Sequence, residues 1–251
     1  MNSENPTQRI QAAGEIFATT RWTVVLAAGD RDAPQATVAL EELCRTYWYP
    51  LYAYIRRRGH THEDAQDLTQ AFFARLLEKN FLEGITSDKG KFRAFLLVAV
   101  KRFLANEWDR AHAEKRGGAN AQPLSLDWQW QDADERYKID PADNLSPDKL
   151  YDRAWAVTML ERVIIRLRDE SQAESKSKQF EQLKPFLMVG KSDIPFAKAA
   201  AALETTEGAV RVAVHRLRRR YREVLREEIA QTLSDPTQAE EELQSLFTAL
   251  S

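Results

Sequence analysis

The apolar positions from residue 38 onward recur at helical spacing. Val38, Leu43, Tyr47, Leu51, Tyr54 and Ile55 form one stripe. They predict a helix that opens at Pro34, where a proline fits the first turn. It runs past Pro50 with a kink there and stops at Gly59. A short helix is expected over 21–28, after a frayed lead-in over 1–18. Thr61 reads as an N-cap, with Asp64 three residues on as an acidic capping-box variant. The helix it opens places Ala65, Leu68, Phe72 and Leu76 on one face. Residues 84–90 read as a loop. A long helix over 91–115 follows, ended by Arg116-Gly117-Gly118.

The periodicity then fails. Residues 117–148 hold Pro123, Pro141 and Pro147 and many acids, with Trp128 and Trp130 among them. This stretch reads as an extended acidic linker with aromatic anchors. Helical spacing resumes over 150–169 through Trp155, Met159, Leu160, Val163, Ile164 and Leu167. A polar stretch over 171–178 and an apolar one over 180–189, interrupted by Pro185, come next. Residues 190–193 read as a turn, with Asp193 as an N-cap. Leu243, Leu246, Phe247 and Leu250 mark an apolar helical face in the tail, expected to pack within the molecule. The predicted class is all-α: two small helical domains, 20–116 and 149–230, joined by the linker 117–148 and followed by a helical tail, 231–251.

Composition agrees. Ala, Leu, Arg and Glu are abundant, and Gly and Pro are sparse at 9 each. The net charge of −2 does not announce a nucleic-acid binder, but its distribution does. Residues 91–116 carry seven Lys/Arg against three acids, and 205–226 carry seven Arg against two acids. Between them, 127–147 carries six acids against two bases. Two basic segments flanking an acidic one cancel in the sum, while partners feel the local field. The polar Met1-to-Gly14 segment has no apolar signal core, and the longest apolar run, Ala94 to Val100, is too short to span a bilayer. The expectation is a soluble, cytoplasmic protein with no membrane partner.

The sharper constellation is 194–226. A short Ala-rich helix over 194–203 meets a tight connection, Glu204-Thr205-Thr206. Thr206 caps a second helix that buries Val210, Val214, Leu217, Tyr221 and Leu225. Its other face shows Arg211, His215, Arg218, Arg219 and Arg222. This is a helix-turn-helix layout, whose second helix offers its early turns to a major groove while later arginines meet phosphates. A solvated Arg-rich helix would carry the same pattern. The second constellation is 61–116. Glu63, Asp64, Asp67, Gln70, Ala74, Arg75 and Lys79 lie outside the buried stripe and suit a protein partner or plain solvent. The helix from Lys91 interleaves bases with Phe92, Phe95, Phe103 and Trp108. Such rings serve either as core or as platforms for single-stranded bases.

The string Asp64-Ala65-Gln66-Asp67-Leu68-Thr69-Gln70-Ala71-Phe72-Phe73-Ala74-Arg75-Leu76 resembles region two of the extracytoplasmic-function sigma factors, in the sigma-70 family. So does Phe92-Arg93-Ala94-Phe95-Leu96. The string from Ala199 to Leu203 with Glu207-Gly208-Ala209-Val210-Arg211-Val212-Ala213-Val214-His215-Arg216-Leu217-Arg218-Arg219 resembles their region four. The blocks stand in the family's order. The resemblance implies a sigma factor that directs RNA polymerase core to promoters and reads −10 and −35 elements. Its partners would be the clamp helices of the largest polymerase subunit, the polymerase flap and promoter DNA; a regulator such as an anti-sigma factor is left open. It implies Asp64, Asp67, Gln70 and Arg75 as the core-polymerase set. Lys91, Arg93, Lys101, Arg102, Asn106 and Arg110 would be the −10 set. Thr206, Glu207, Arg211, His215, Arg216 and Arg219 would be the −35 set. Arg102 stands where the family often has Asn, the linker and the stretch 171–193 are longer than is common, and the tail 231–251 follows the family's usual end.

A stand-alone helix-turn-helix regulator is the alternative, and a helical adaptor with a basic helix for an acidic protein is a third. No catalysis and no cofactor are expected, and no phosphate loop of the GxxxxGK[ST] type occurs. His60, His62 and Glu63 lack further ligands for a metal. Lone Cys44, beside aromatics, reads as a core residue.

Overall fold

The computed structural model describes residues 21–22, 34–76, 91–114, 133–139, 145–188 and 195–251. The lead-in 1–18, most of the helix expected over 21–28, the loop 84–90, Trp128 and Trp130, and the turn 190–193 with Asp193 lie outside them. The described residues are mostly helical and hold no strand, with one isolated β-bridge between Lys91 and Leu233. The helices are α1 (Pro34–Arg57), α2 (His62–Leu76), α3 (Phe92–Glu114), α4 (Ala133–Ile139), α5 (Pro147–Ala173), α6 (Ser177–Leu183), α7 (Pro185–Met188), α8 (Phe196–Ala202), α9 (Glu207–Ala230) and, after a 3-10 turn at Pro236–Gln238, α10 (Ala239–Leu250). No described helix is long and apolar enough to cross a membrane.

Local chemistry explains several boundaries. α1 continues through Pro50 and ends at Arg57, and Gly59 follows at φ +95°, a conformation glycine adopts without a Cβ penalty. The Asp64 amide donates to Thr61 Oγ1 at 3.1 Å, so Thr61 caps α2 as its sequence position predicts. The expected extended linker contains a helix instead. α4 is too short to display a period, and tertiary contacts hold it. The Arg136 guanidinium lies 3.8 Å from the Tyr49 ring centroid. Asp134 pairs with Arg56 of α1 at 3.3 Å, and within α4 with Lys138 at 2.6 Å.

The chain forms two compact units. One comprises the described residues up to Thr158 together with Ile229–Ser251; the other is Met159–Glu228. Compactness thus divides the chain at 158/159 and 228/229, where the sequence pattern divides it at 149 and 230.

The first unit has an aromatic core. Trp22, Tyr47, Tyr52, Phe72, Phe73, Phe92, Tyr151 and Trp155 are buried. Phe92 sits 4.7 Å from Trp22 and 5.1 Å from Tyr47, centroid to centroid. Phe103 meets Phe72 at 5.6 Å. Phe92, Leu96 and Phe103 are therefore core, and not base platforms, while Trp108 is exposed. The segment after α9 closes this core. The Trp22 amide donates to the Gln231 carbonyl at 3.2 Å, and the Phe92 amide to the Thr232 carbonyl at 3.0 Å. In α10 the buried positions are Ala239, Glu242 and Leu246, whereas Phe247 faces solvent. The tail packs inward along a face that is rotated from the one its leucines predict and has a carboxylate at its centre.

The second unit has a core that is mainly aliphatic, with a few phenylalanines. Leu183, Phe186, Ala199, Ala200, Val210 and Val214 are buried together, with Phe196, Leu203, Ala213 and Leu217 against them. Fully burying one of its Val, Leu or Phe side chains is worth roughly 1.5–3 kcal/mol, and an alanine less.

Candidate nucleic-acid interface

The second unit contains a helix–turn–helix. α8 is Ala-rich, and Ala199 and Ala200 are buried where α9 meets it. Small side chains permit that approach. The turn is closed by backbone bonds. The Thr205 amide donates to the Ala200 carbonyl at 3.0 Å and the Glu204 amide to Ala201 at 3.3 Å. This pair is the Schellman pattern of a helix C-terminus, with Glu204 at φ +51° where glycine is usual. α9 then starts on Thr206, whose Oγ1 accepts from the Ala209 amide at 3.2 Å. Val210, Val214 and Leu225 are buried and Leu217 and Tyr221 half-buried, as the spacing predicts; Val224 is buried as well.

The opposite face of α9 is open. Glu207, Arg211, Val212, His215, Arg216, Arg219 and Arg222 are all exposed. The Arg211 side chain is 64% exposed, pairs loosely with Glu207 at 3.8 Å, and lies over the Phe196 ring at 4.7 Å. α8 therefore steers this arginine. Arg219 is 74% exposed and bonds Glu223 one turn on at 3.0 Å. Such exposed i,i+4 pairs are weak and leave the cation available to an anionic partner. Two arginines differ. Arg218 donates to the Phe186 carbonyl from Nε at 3.1 Å and Nη2 at 2.8 Å, so it ties α9 to α7 rather than facing out. Arg220 binds Glu170 at 2.7 Å and Glu227 at 3.3 Å. Its hydrogen bond holds the Glu170 carboxyl below the ordinary glutamate range. Beside the open face lies a cleft of about 560 Å³. Phe180, Leu183 and Leu217 line it, with Lys176 and Arg216 also on its wall.

The first unit holds the other predicted residues in a different state. Asp64 and Asp67 are exposed on α2, and Gln70 and Arg75 are half-exposed on the same helix. On α3, Arg102 and Asn106 are exposed; the Arg110 side chain lies outside the described residues. Lys91, Arg93 and Lys101 are paired with carboxylates. Lys101 reaches Asp148 at 2.6 Å. Lys91 reaches Glu242 at 2.9 Å and Glu241 at 3.3 Å. Arg93 is held on every side. Its Nε donates to Glu242 Oε1 at 2.8 Å, Nη2 to Oε2 at 3.2 Å, and Nη1 to Asp152. Its Cζ lies 4.5 Å from the Trp155 ring centroid. Only 16% of its side chain is exposed. Burial alone would lower the pKa of Lys91 and Arg93; the bonds and charges of their carboxylate partners outweigh it and raise both.

The carboxylates that take up these cations were not singled out by sequence reasoning. One signal was present: residues 231–251 contain Asp235, Glu240, Glu241 and Glu242 and no Lys or Arg. That acidic run complements the basic start of α3.

His62 Nδ1 lies 2.8 Å from the Tyr52 hydroxyl and 3.7 Å from Asp134. No cluster of three or more His, Cys, Asp or Glu suited to a metal occurs among the described residues. Cys44 is buried, and that burial, with Glu41 adding, pushes its thiol pKa up and away from nucleophilic use. No family model, curated protein or solved structure matches this chain.

Proposed function

We propose that this chain is a sigma-type initiation factor that directs RNA polymerase core to promoters, reads −10 and −35 elements, and catalyses nothing itself. The observation that carries the proposal is the α8–turn–α9 arrangement. A capped helix, braced by a short Ala-rich partner, presents Arg211, His215, Arg216 and Arg219 to solvent. Early residues of such a helix fit base edges in a major groove, and later arginines fit phosphates. The region-two resemblance of 64–76 supports a polymerase partner, and Asp64 and Asp67 are exposed to meet one. Flipped or unstacked −10 bases would be trapped on α3 around Arg102 and Asn106, offsetting an unpairing cost of a few kcal/mol. The chain would act in the cytoplasm, as two small DNA-reading modules tethered on polymerase.

The test is transcription in vitro with purified core polymerase on a pool of genomic fragments. Start sites that depend on the protein are expected; their absence overturns the proposal. A stand-alone duplex-binding regulator is the second reading. It is favoured by the engagement of Lys91, Arg93 and Lys101 in internal ion pairs, which leaves α9 as the open basic face. Co-purification with core polymerase separates the two.

A further inference from the structure

We propose that α10 is an autoinhibitory element, a carboxylate stand-in for nucleic-acid phosphate that occupies Lys91 and Arg93 until a nucleic acid displaces it. The inference rests on the reading that the start of α3 faces nucleic acid.

The geometry is that of competitive occupation. A guanidinium offers its donors as a planar fork, and a carboxylate or a phosphate fills that fork in the same bidentate way. Glu242 does so for Arg93 through Nε and Nη2, while Asp152 takes Nη1 and Trp155 covers a face. All three nitrogens of Arg93 are engaged, and its Nε/Nη2 fork is filled. Glu242 and Glu241 together take the Lys91 amine. Bidentate phosphate contact through the Nε/Nη2 fork of Arg93 therefore requires Glu242 to let go, and a phosphate at Lys91 competes with the same carboxylate.

The tail is built for that role. Glu240, Glu241 and Glu242 occupy the first turn of α10, where the helix dipole favours negative charge. The 3-10 turn before it is anchored by Asp235, whose Oδ1 accepts from the Thr237 amide at 2.9 Å. The Arg153 Nη1 donates to the Leu250 carbonyl at 3.3 Å near the far end. The tail thus presents an acidic turn to the basic start of α3. Polyanion binding releases condensed counterions, a gain that grows with each cation freed to meet a phosphate.

The test measures binding of a fluorescent single-stranded DNA of about 20 nucleotides to the full chain at fixed salt. Glu242→Gln is expected to tighten binding about fivefold, with a steeper salt slope, because it loosens the hold on Arg93 and Lys91 and leaves each a single carboxylate, Asp152 and Glu241. Glu241→Gln changes an exposed side chain that leaves the fold intact, and is expected to tighten binding about twofold. Glu240→Gln serves as the neighbouring control and should stay nearer to the wild type than Glu241→Gln. Circular dichroism checks the fold of each variant. If Glu242→Gln does not fold, Glu241→Gln decides alone. Equal affinities for the wild type and the folded variants overturn the autoinhibition and make the contact a purely structural clasp. Absence of binding by every variant, to this strand and to duplex promoter fragments alike, overturns the nucleic-acid reading itself and the inference with it.

Discussion

The basic face of α9 and the basic start of α3 are built from the same residue types, yet their cations do different work. Among the described residues, Arg211 and Arg219 form ion pairs with glutamates one turn away on their own helix, and most of each side chain meets solvent. Arg93 pairs with Glu242, 149 residues away, and with Asp152, and is largely buried. A cation with a weak local partner can exchange it for an external anion. A cation in a desolvated, bidentate pair reaches an external anion only when its partner leaves, and that exchange costs the fold a contact. A count of Lys and Arg along a helix does not separate the two cases; the partner's distance in sequence and its burial do.

The largest effect that could break this contrast is on stability. Arg93→Ala leaves Glu242 buried without its main partner and strips the cover from Trp155. It is expected to cost about 3–5 kcal/mol in urea unfolding. Arg219→Ala should stay within about 0.5 kcal/mol on the same measure. If both substitutions cost alike, the contrast between the two faces is wrong. A smaller effect tests the scaffold of the open face. Thr206→Ala removes the α9 cap and should destabilise by about 1 kcal/mol; a thermal melt checks it. Glu204→Gly relieves a left-handed residue at the end of α8 but adds freedom to the unfolded chain. The expected net gain is about 0.5 kcal/mol, read from the same melts. The smallest effect is acid sensitivity. The hydrogen bond from Arg220 lowers the folded-state pKa of Glu170. Its contribution is therefore present above the ordinary glutamate pKa of about 4.3 and is lost as pH falls through the lowered value. Glu170→Gln should flatten the acid limb of a stability–pH curve below about pH 4.5.

What was legible in the sequence is what is local. Thr61 and Thr206 announce helix starts within three residues of the amides they bind. Gly59 marks a stop that needs positive φ. The α9 stripe of Val210, Val214 and Leu225 follows from spacing alone. The rest was not local. α4 is a two-turn helix stabilised by rings and charges on α1, and nothing in its own seven residues fixes that. Glu242 is buried on the strength of its partners, and an acid preceded by two acids reads as solvated surface until those partners are known. The open or closed state of each predicted DNA-facing residue is of this second kind.

The return of 229–251 to the first unit has a consequence in time. Gln231 meets Arg21 and Trp22 across 210 residues of chain. A ribosome makes Trp22 and Phe92 long before it makes the strip that seals them. Domains usually complete themselves in the order of synthesis. Here the unit begun first must wait for its own closing strip, while Met159–Glu228 is already whole in sequence. The nascent chain carries an unfinished aromatic core for most of its translation, so the protein's exposure to aggregation should be greatest on the ribosome.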